Sequence, residues 1–262
     1  MDERHSPTAE RNLLPTWENL SARIDRWQKL VDSEESLAID PRSSIAGDDK
    51  ASAPYQVSFC VGSSLHVAVD NLHALKTLIH ERQLLHTMAP FTLARGALET
   101  LTAAFWVLHP SRRDERVSRA LRWHMKNFVD QNTALSRLAG SGYDGIEARK
   151  TSLFEVADRR GIPRDHIAKG YSSTEAVLYT ADNGYFPHVA FLWRLCSGYA
   201  HGRPWAVLGS SEKEKGESPT PDRLHLRLSA SPEHVQTVAA ASVRLMEVVG
   251  ELRTERSSNQ LA

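Results

Sequence analysis

The chain has 262 residues, enough to bury a substantial core in one generous domain or a domain with appendages. Its 32 Lys and Arg balance 32 Asp and Glu, so the formal net charge is zero. That balance excludes a protein basic over its whole surface: any RNA contact has to come from a local patch and to weaken with salt. No uncharged apolar run approaches the roughly 18 residues of a membrane helix, and no membrane association is expected. Met1-Asp2-Glu3-Arg4-His5 leads into no apolar signal core. Cys60 and Cys196, the only cysteines, form no Cys-x-x-Cys knuckle and read as free buried thiols of a cytoplasmic protein.

Residues 1–32 are expected to hold an N-terminal helix over 13–31. Trp17, Leu20, Ile24, Trp27, Leu30 and Val31 share one side, Thr16 is the N-cap and Glu18 favours the dipole. This helix packs on the main body or on a partner. The polar, proline-bearing stretch 33–54 has no period and reads as a flexible linker.

From 55 to 203 the pattern is that of a helical bundle. A long helix over 57–86 turns Leu65, Val69, Leu72, Leu75, Ile79 and Leu85 inward. Pro90 opens the next, through Leu93, Ala97, Leu101, Ala104, Phe105 and Leu108, and His109-Pro110 stops it. Ser111 to Asp114 forms an acidic variant of the capping box for a helix to about Leu138 that buries Val117, Leu121, Met125 and Phe128. A turn-rich loop over 140–145 precedes a helix over 146–160. Ser172-Ser173-Thr174-Glu175 caps a short helix to about Thr180, and Pro187 begins another whose apolar side is Val189, Leu192, Trp193 and Cys196.

Beyond Gly202 the period changes. Trp205-Ala206-Val207-Leu208 and Leu224-His225-Leu226-Arg227-Leu228 alternate like strands around a polar stretch, so 204–229 is expected to be a β-hairpin with a mobile loop. Ser231-Pro232 starts a C-terminal helix over 230–254 that packs on the bundle, and 255–262 is expected to be a disordered tail. The fold class is mainly all-α: an antiparallel helical bundle with a small β-hairpin appendage.

The motif is Trp193-Arg194-Leu195-Cys196-Ser197-Gly198-Tyr199-Ala200-His201-Gly202. Arg194 and His201 stand seven residues apart, nearly two helical turns, and leave the helix on almost the same face about 10 Å apart along its axis. A permanently charged guanidinium beside a titratable imidazole suits phosphodiester chemistry without a metal. The same pair near a helix C-terminus, with Gly202 as cap glycine and Pro204 as stop, also serves the helix dipole alone.

The Arg-x6-His order resembles the motif of the HEPN superfamily, small helical-bundle domains of prokaryotic defence and toxin systems. Ser197-Gly198-Tyr199-Ala200-His201-Gly202 and the helix Leu93-Ala94-Arg95-Gly96-Ala97-Leu98-Glu99 resemble segments of uncharacterised bacterial proteins of that kind. The resemblance covers about residues 60–205. It implies a HEPN-like bundle and a metal-independent endoribonuclease, a hydrolase-type nuclease that binds RNA and needs no cofactor. His201 is then the general acid or base and Arg194 the phosphate clamp, with Tyr199 and Arg203 as substrate contacts. It also implies a homodimer and a cognate antitoxin or defence partner protein. Active members usually carry a polar residue directly after the Arg, where this chain has Leu195. That departure favours the alternative, a degenerate module binding a partner protein or a nucleotide.

Other constellations compete. Arg95 and Glu99, at i and i+4, are either an ordinary surface pair or an inward pair that orients His201 or neutralises Arg194. Arg112, Arg116, Arg119 and Arg122 mark either a solvated face or a phosphate stripe. Among twelve histidines, His66, Asp70 and His73 share a helix face. A metal there needs a third ligand from elsewhere, such as His124 or His188. No Walker loop, dinucleotide fingerprint, His-Glu-x-x-His or nucleophile elbow is present.

Overall fold

Helix α4 (Ala89–Leu108) has only two charged residues, Arg95 and Glu99, and buries Phe91, Ala94, Ala97, Leu98 and an unbroken run from Leu101 to Leu108. A helix apolar almost all round has to be enclosed. It is, by α3 (Val57–Lys76), α5 (Arg113–Ala139), α8 (Ser173–Asn183), α9 (Val189–Ala200) and α11 (Pro232–Ser257). The structure, a computed structural model, describes residues 14–33, 38–139, 145–184, 188–217, 220 and 223–258. Among these the fold is mainly all-α, and a single two-stranded antiparallel sheet is the β component. None of its helices is long and apolar enough to cross a membrane.

Helix directions follow from the contacts. Asn71 of α3 stands beside Gly96 of α4, while the earlier Ser63 and the later Thr100 line one cavity, so the two run antiparallel. Helix α9 is also antiparallel to α4, since Trp193 bonds Glu99 and Tyr199 stacks on Phe91. Helix α11 runs parallel to α4, with Arg256 reaching the carbonyls of His109 and Pro110. Helix α1 (Trp17–Val31) is capped by Thr16, whose Oγ1 accepts from the Asn19 amide. It lies on the bundle: Arg23 meets Glu247 of α11 at 2.5 Å, and Trp27 presses on Gly250.

Several elements depart from the sequence expectation. Within 33–54, read as a linker, Ser44–Ser52 is helix α2, capped by Ser43, with Ile45 and Asp48 wholly buried. Its polar sequence hid one decisive contact: both Asp48 oxygens bond the buried Arg116 at 2.6 and 2.8 Å, and Arg113 adds a third bond at 3.1 Å. Of the arginine stripe, Arg112 is exposed as a solvated face requires, while the other three are engaged within the fold. Arg116 is core, Arg119 lies 4.1 Å over the Tyr179 ring, and Arg122 pairs with Glu175 at 2.5 Å.

The helix expected over 57–86 is α-helical to Lys76, widens into a π-turn over Thr77–Glu81, and stops before Leu85, which is exposed. Helix α6 (Gly145–Arg159) falls where expected, but α7 (Arg164–Ala168) follows it unforeseen. Residues 205–208 are not a strand: Pro204–Ser210 is helix α10, and the hairpin pairs β1 (Glu212–Gly216) with β2 (His225–Ser229). Four alternating residues are too few to separate the two periods, and Pro204 at the first helical position favours the helix. Helix α11 continues to Ser257, through the start of the expected tail. Pro187 and 140–144 lie outside the described residues.

Candidate functional site

Helix α9 ends at a left-handed glycine. Gly202 has φ +61°, its amide bonds the Tyr199 carbonyl at 3.1 Å, and the Arg203 amide bonds the Gly198 carbonyl at 2.7 Å. These paired reverse bonds satisfy the last carbonyls of α9 and turn the chain sharply. Arg203 is the extended N-cap of α10, which folds back so that Ala206 and Trp205 rest on Gly198. Only a residue without a Cβ leaves room there: a Cβ on 198 would stand 2.5 Å from that of Ala206.

A cleft of about 430 Å³ opens between the two helices, lined by Trp193, Arg194, Ser197, Gly198, His201, Arg203 and Trp205. Arg194 and Ser197 fall at i and i+3 on one face of α9, and His201, its C-cap, follows at i+7. Arg194, His201 and Arg203 are all exposed. Two guanidinium groups and one imidazole thus converge where no Asp or Glu contributes to the described lining. A cluster of that kind has the positive charge and the N–H donors to hold an anion.

The remaining expected residues are placed otherwise. Tyr199, read as a substrate contact, is buried: its ring stacks 3.8 Å from Phe91 and its hydroxyl lies 3.0 Å from Ser211 Oγ. Burial pushes its phenol pKa up. Five residues of helix turn it about 140° away from Arg194, which removes it from the cleft. Glu99 does not reach His201. Its carboxylate accepts from Ser173 Oγ at 2.8 Å and Trp193 Nε1 at 3.1 Å, and it pairs with Arg95 at 3.0 Å. Its contribution to the cleft is to anchor the indole wall beside Arg194. Leu195 is core, 4 % exposed. One residue on from Arg194 the helix has turned by about 100°, so a polar side chain there would face the interior of this fold.

The ring nitrogens of His66 lie 2.8 Å from the Gly62 carbonyl and 3.2 Å from that of Val31 at the C-terminus of α1, and the N–H of the ring donates to one of them. His124 sits among Tyr55, Phe59, Trp123 and Phe128. Among the described residues no three His, Cys, Asp or Glu stand where they could share a metal ion. Cys60 and Cys196 are buried free thiols, and burial raises the Cys196 pKa to about 12. Ser197, Trp193 and Trp205 were missed as lining residues. Pro204 following Arg203 was the one local signal that Trp205 stands on a helix turned toward them.

No family model, curated protein or solved structure matches this chain.

Proposed function

We propose that the chain is a metal-independent endoribonuclease of the HEPN type, acting in a bacterial defence or toxin system. The observation that carries this reading is the convergence of Arg194, His201 and Arg203 in a cleft lined by no described carboxylate. In the reaction, the RNA 2′-oxygen forms a bond to the adjacent phosphorus as the bond to the 5′-oxygen breaks. The products are a 2′,3′-cyclic phosphate and a 5′-hydroxyl. His201 removes the 2′-hydroxyl proton or supplies the proton that the leaving oxygen needs. Arg194 and Arg203 hold the phosphate and stabilise the negative charge that grows on its oxygens. One imidazole performs one of the two transfers at a time. A homodimer that brings two copies of the cleft together supplies the second, and a cognate partner protein restrains the activity in the cytoplasm.

A second reading is a module that binds a nucleotide or partner without cleaving. It is favoured by the surroundings of His201, whose ring has no hydrogen-bond partner among the described residues to fix its tautomer.

The test is cleavage of total cellular RNA by the purified chain in EDTA, compared with His201→Ala and Arg194→Ala. Cyclic-phosphate ends produced by wild type and lost in both variants support the nuclease. A folded wild type that binds RNA but leaves it intact supports the second reading. Equal cleavage by all three proteins rejects the cleft as the catalytic centre.

A further inference from the structure

Trp205 remains unexplained by the chemistry of its cleft. Its side chain is half exposed, at 55 %, although it is the largest apolar residue of α10. One edge of the indole, Cζ2 and Cε2, rests on Gly198, and the residue lines the same cleft as Arg194, His201 and Arg203. Gly198 holds the ring in place, while its exposure leaves apolar surface free beside the cations. An indole left open next to guanidinium groups is suited to a ligand that is flat and apolar in one part and anionic in the next. A nucleobase joined to a phosphate has that shape.

We propose that Trp205 is a stacking platform for an unpaired base whose phosphate is held by Arg194 and Arg203, which makes the cleft selective for single-stranded over duplex RNA. The proposal rests on the reading of this cleft as a phosphate site. Both faces of a base inside a duplex are covered by its neighbours, so the indole can engage only a base already out of the stack. Phe191, at 58 % exposure the other open aromatic of this region, is not part of the cleft lining and is not assigned this role. Trp205 is a substrate contact and takes no part in proton transfer.

Binding can be separated from cleavage with a fluorescent 2′-O-methyl RNA strand, which lacks the attacking hydroxyl. Its anisotropy is titrated in EDTA at low salt with wild type, Trp205→Ala and Trp205→Phe, alongside the annealed duplex and with adenosine monophosphate as competitor. The expected result is tighter binding of the strand than of the duplex. Trp205→Ala should weaken strand binding roughly 5- to 150-fold, Trp205→Phe should retain most of it, and duplex binding should be equal in all three. Trp205-dependent binding of the mononucleotide in place of the strand would keep the platform and identify a free nucleotide as its ligand. Strand affinity unchanged in Trp205→Ala, preference for the duplex, or no binding of any probe by folded wild type would overturn it. Wild type that fails to cleave RNA yet binds the strand through Trp205 would reject the nuclease and leave the platform standing. Cleavage with strand affinity indifferent to Trp205 would do the reverse.

Discussion

Gly198 and Trp205 meet because α10 folds back over the last turn of α9. The indole Cζ2 lies 3.0 Å, and the Ala206 Cβ 2.5 Å, from where a Cβ on residue 198 would stand. Alanine at 198 gains up to about 1 kcal/mol in helix propensity. The Ala206 Cβ cannot swing aside without its backbone, and overpacking of this kind costs roughly 1–3 kcal/mol. Gly198→Ala is therefore expected to lower stability in urea unfolding and, by lifting α10, to weaken RNA binding. A variant as stable as wild type would mean that α10 does not seat on this glycine.

Asp48 and Arg116 are both essentially sealed from solvent, at 0 % and 2 % exposure. Arg116 also donates to the carbonyls of Pro110 and Ser111, so it ties α2 to the turn before α5. Removing the Asp48 charge leaves the buried Arg116 without its counter-charge, at a cost of roughly 3–5 kcal/mol. Asp48→Asn should show that loss by chemical denaturation, and Arg116→Met a smaller one, because Arg113 still bonds Asp48. The double variant should lose much less than the sum of the two.

His124 is 8 % exposed and its Nε2 meets no hydrogen-bond partner. Burial pulls its pKa from 6.5 to about 4. The unfolded chain then takes up a proton below about pH 6.5, while the folded chain resists until about pH 4. Stability is complete above pH 6.5 and falls as pH drops through this window, by at most about 3 kcal/mol. His109, also depressed by burial, adds to the loss with the same sign. Urea midpoints measured between pH 7.5 and 4.5 should decline in wild type and decline less in His124→Phe. Parallel curves would show that this ring does not titrate differently on folding.

Gly250 of α11 admits Trp27 of α1 so closely that a Cβ there would stand 1.9 Å from the ring. Gly250→Ala is expected to force the indole out and to cost roughly 1–3 kcal/mol. Limited proteolysis should then cut α1 faster than the bundle. Unchanged resistance would mean that α1 is held by other contacts, of which the Arg23–Glu247 pair is the next to remove.

Glu99 holds Trp193, Ser173 and Arg95 together but touches neither His201 nor Arg194. Glu99→Gln keeps an acceptor and loses the charge opposite Arg95. It is expected to lower stability by about 1 kcal/mol and to leave the pH profile of RNA cleavage unmoved. A displaced profile would show that Glu99 acts on the proton-transferring group after all.

Periodic apolar residues made most of the bundle legible. Leu65, Val69, Leu72 and Leu75 of α3 are buried, as are Leu101, Ala104, Phe105 and Leu108 of α4, because burial along a long helix leaves a repeating signal. Caps were legible for the same local reason: Thr16, Ser172 and Ser231 each accept from the amide three residues on. Helix α2 was not legible, since its decisive contact joins residues 68 apart in the chain. Helix α10 was missed because four residues carry too little period to decide.

At the cleft the division is equally physical. The spacing of Arg194 and His201, the glycine at 202 and the proline at 204 by themselves determined that α9 would end with both side chains on one face. That is helix geometry, and it acts within a few residues. Only the tertiary structure decided that Tyr199 stacks on Phe91 in the core, that Glu99 anchors Trp193 and not His201, and that Arg203 and Trp205 complete the cleft. Those outcomes depend on which distant surfaces a helix is packed against and on how much room a single glycine leaves, and neither is written in local periodicity.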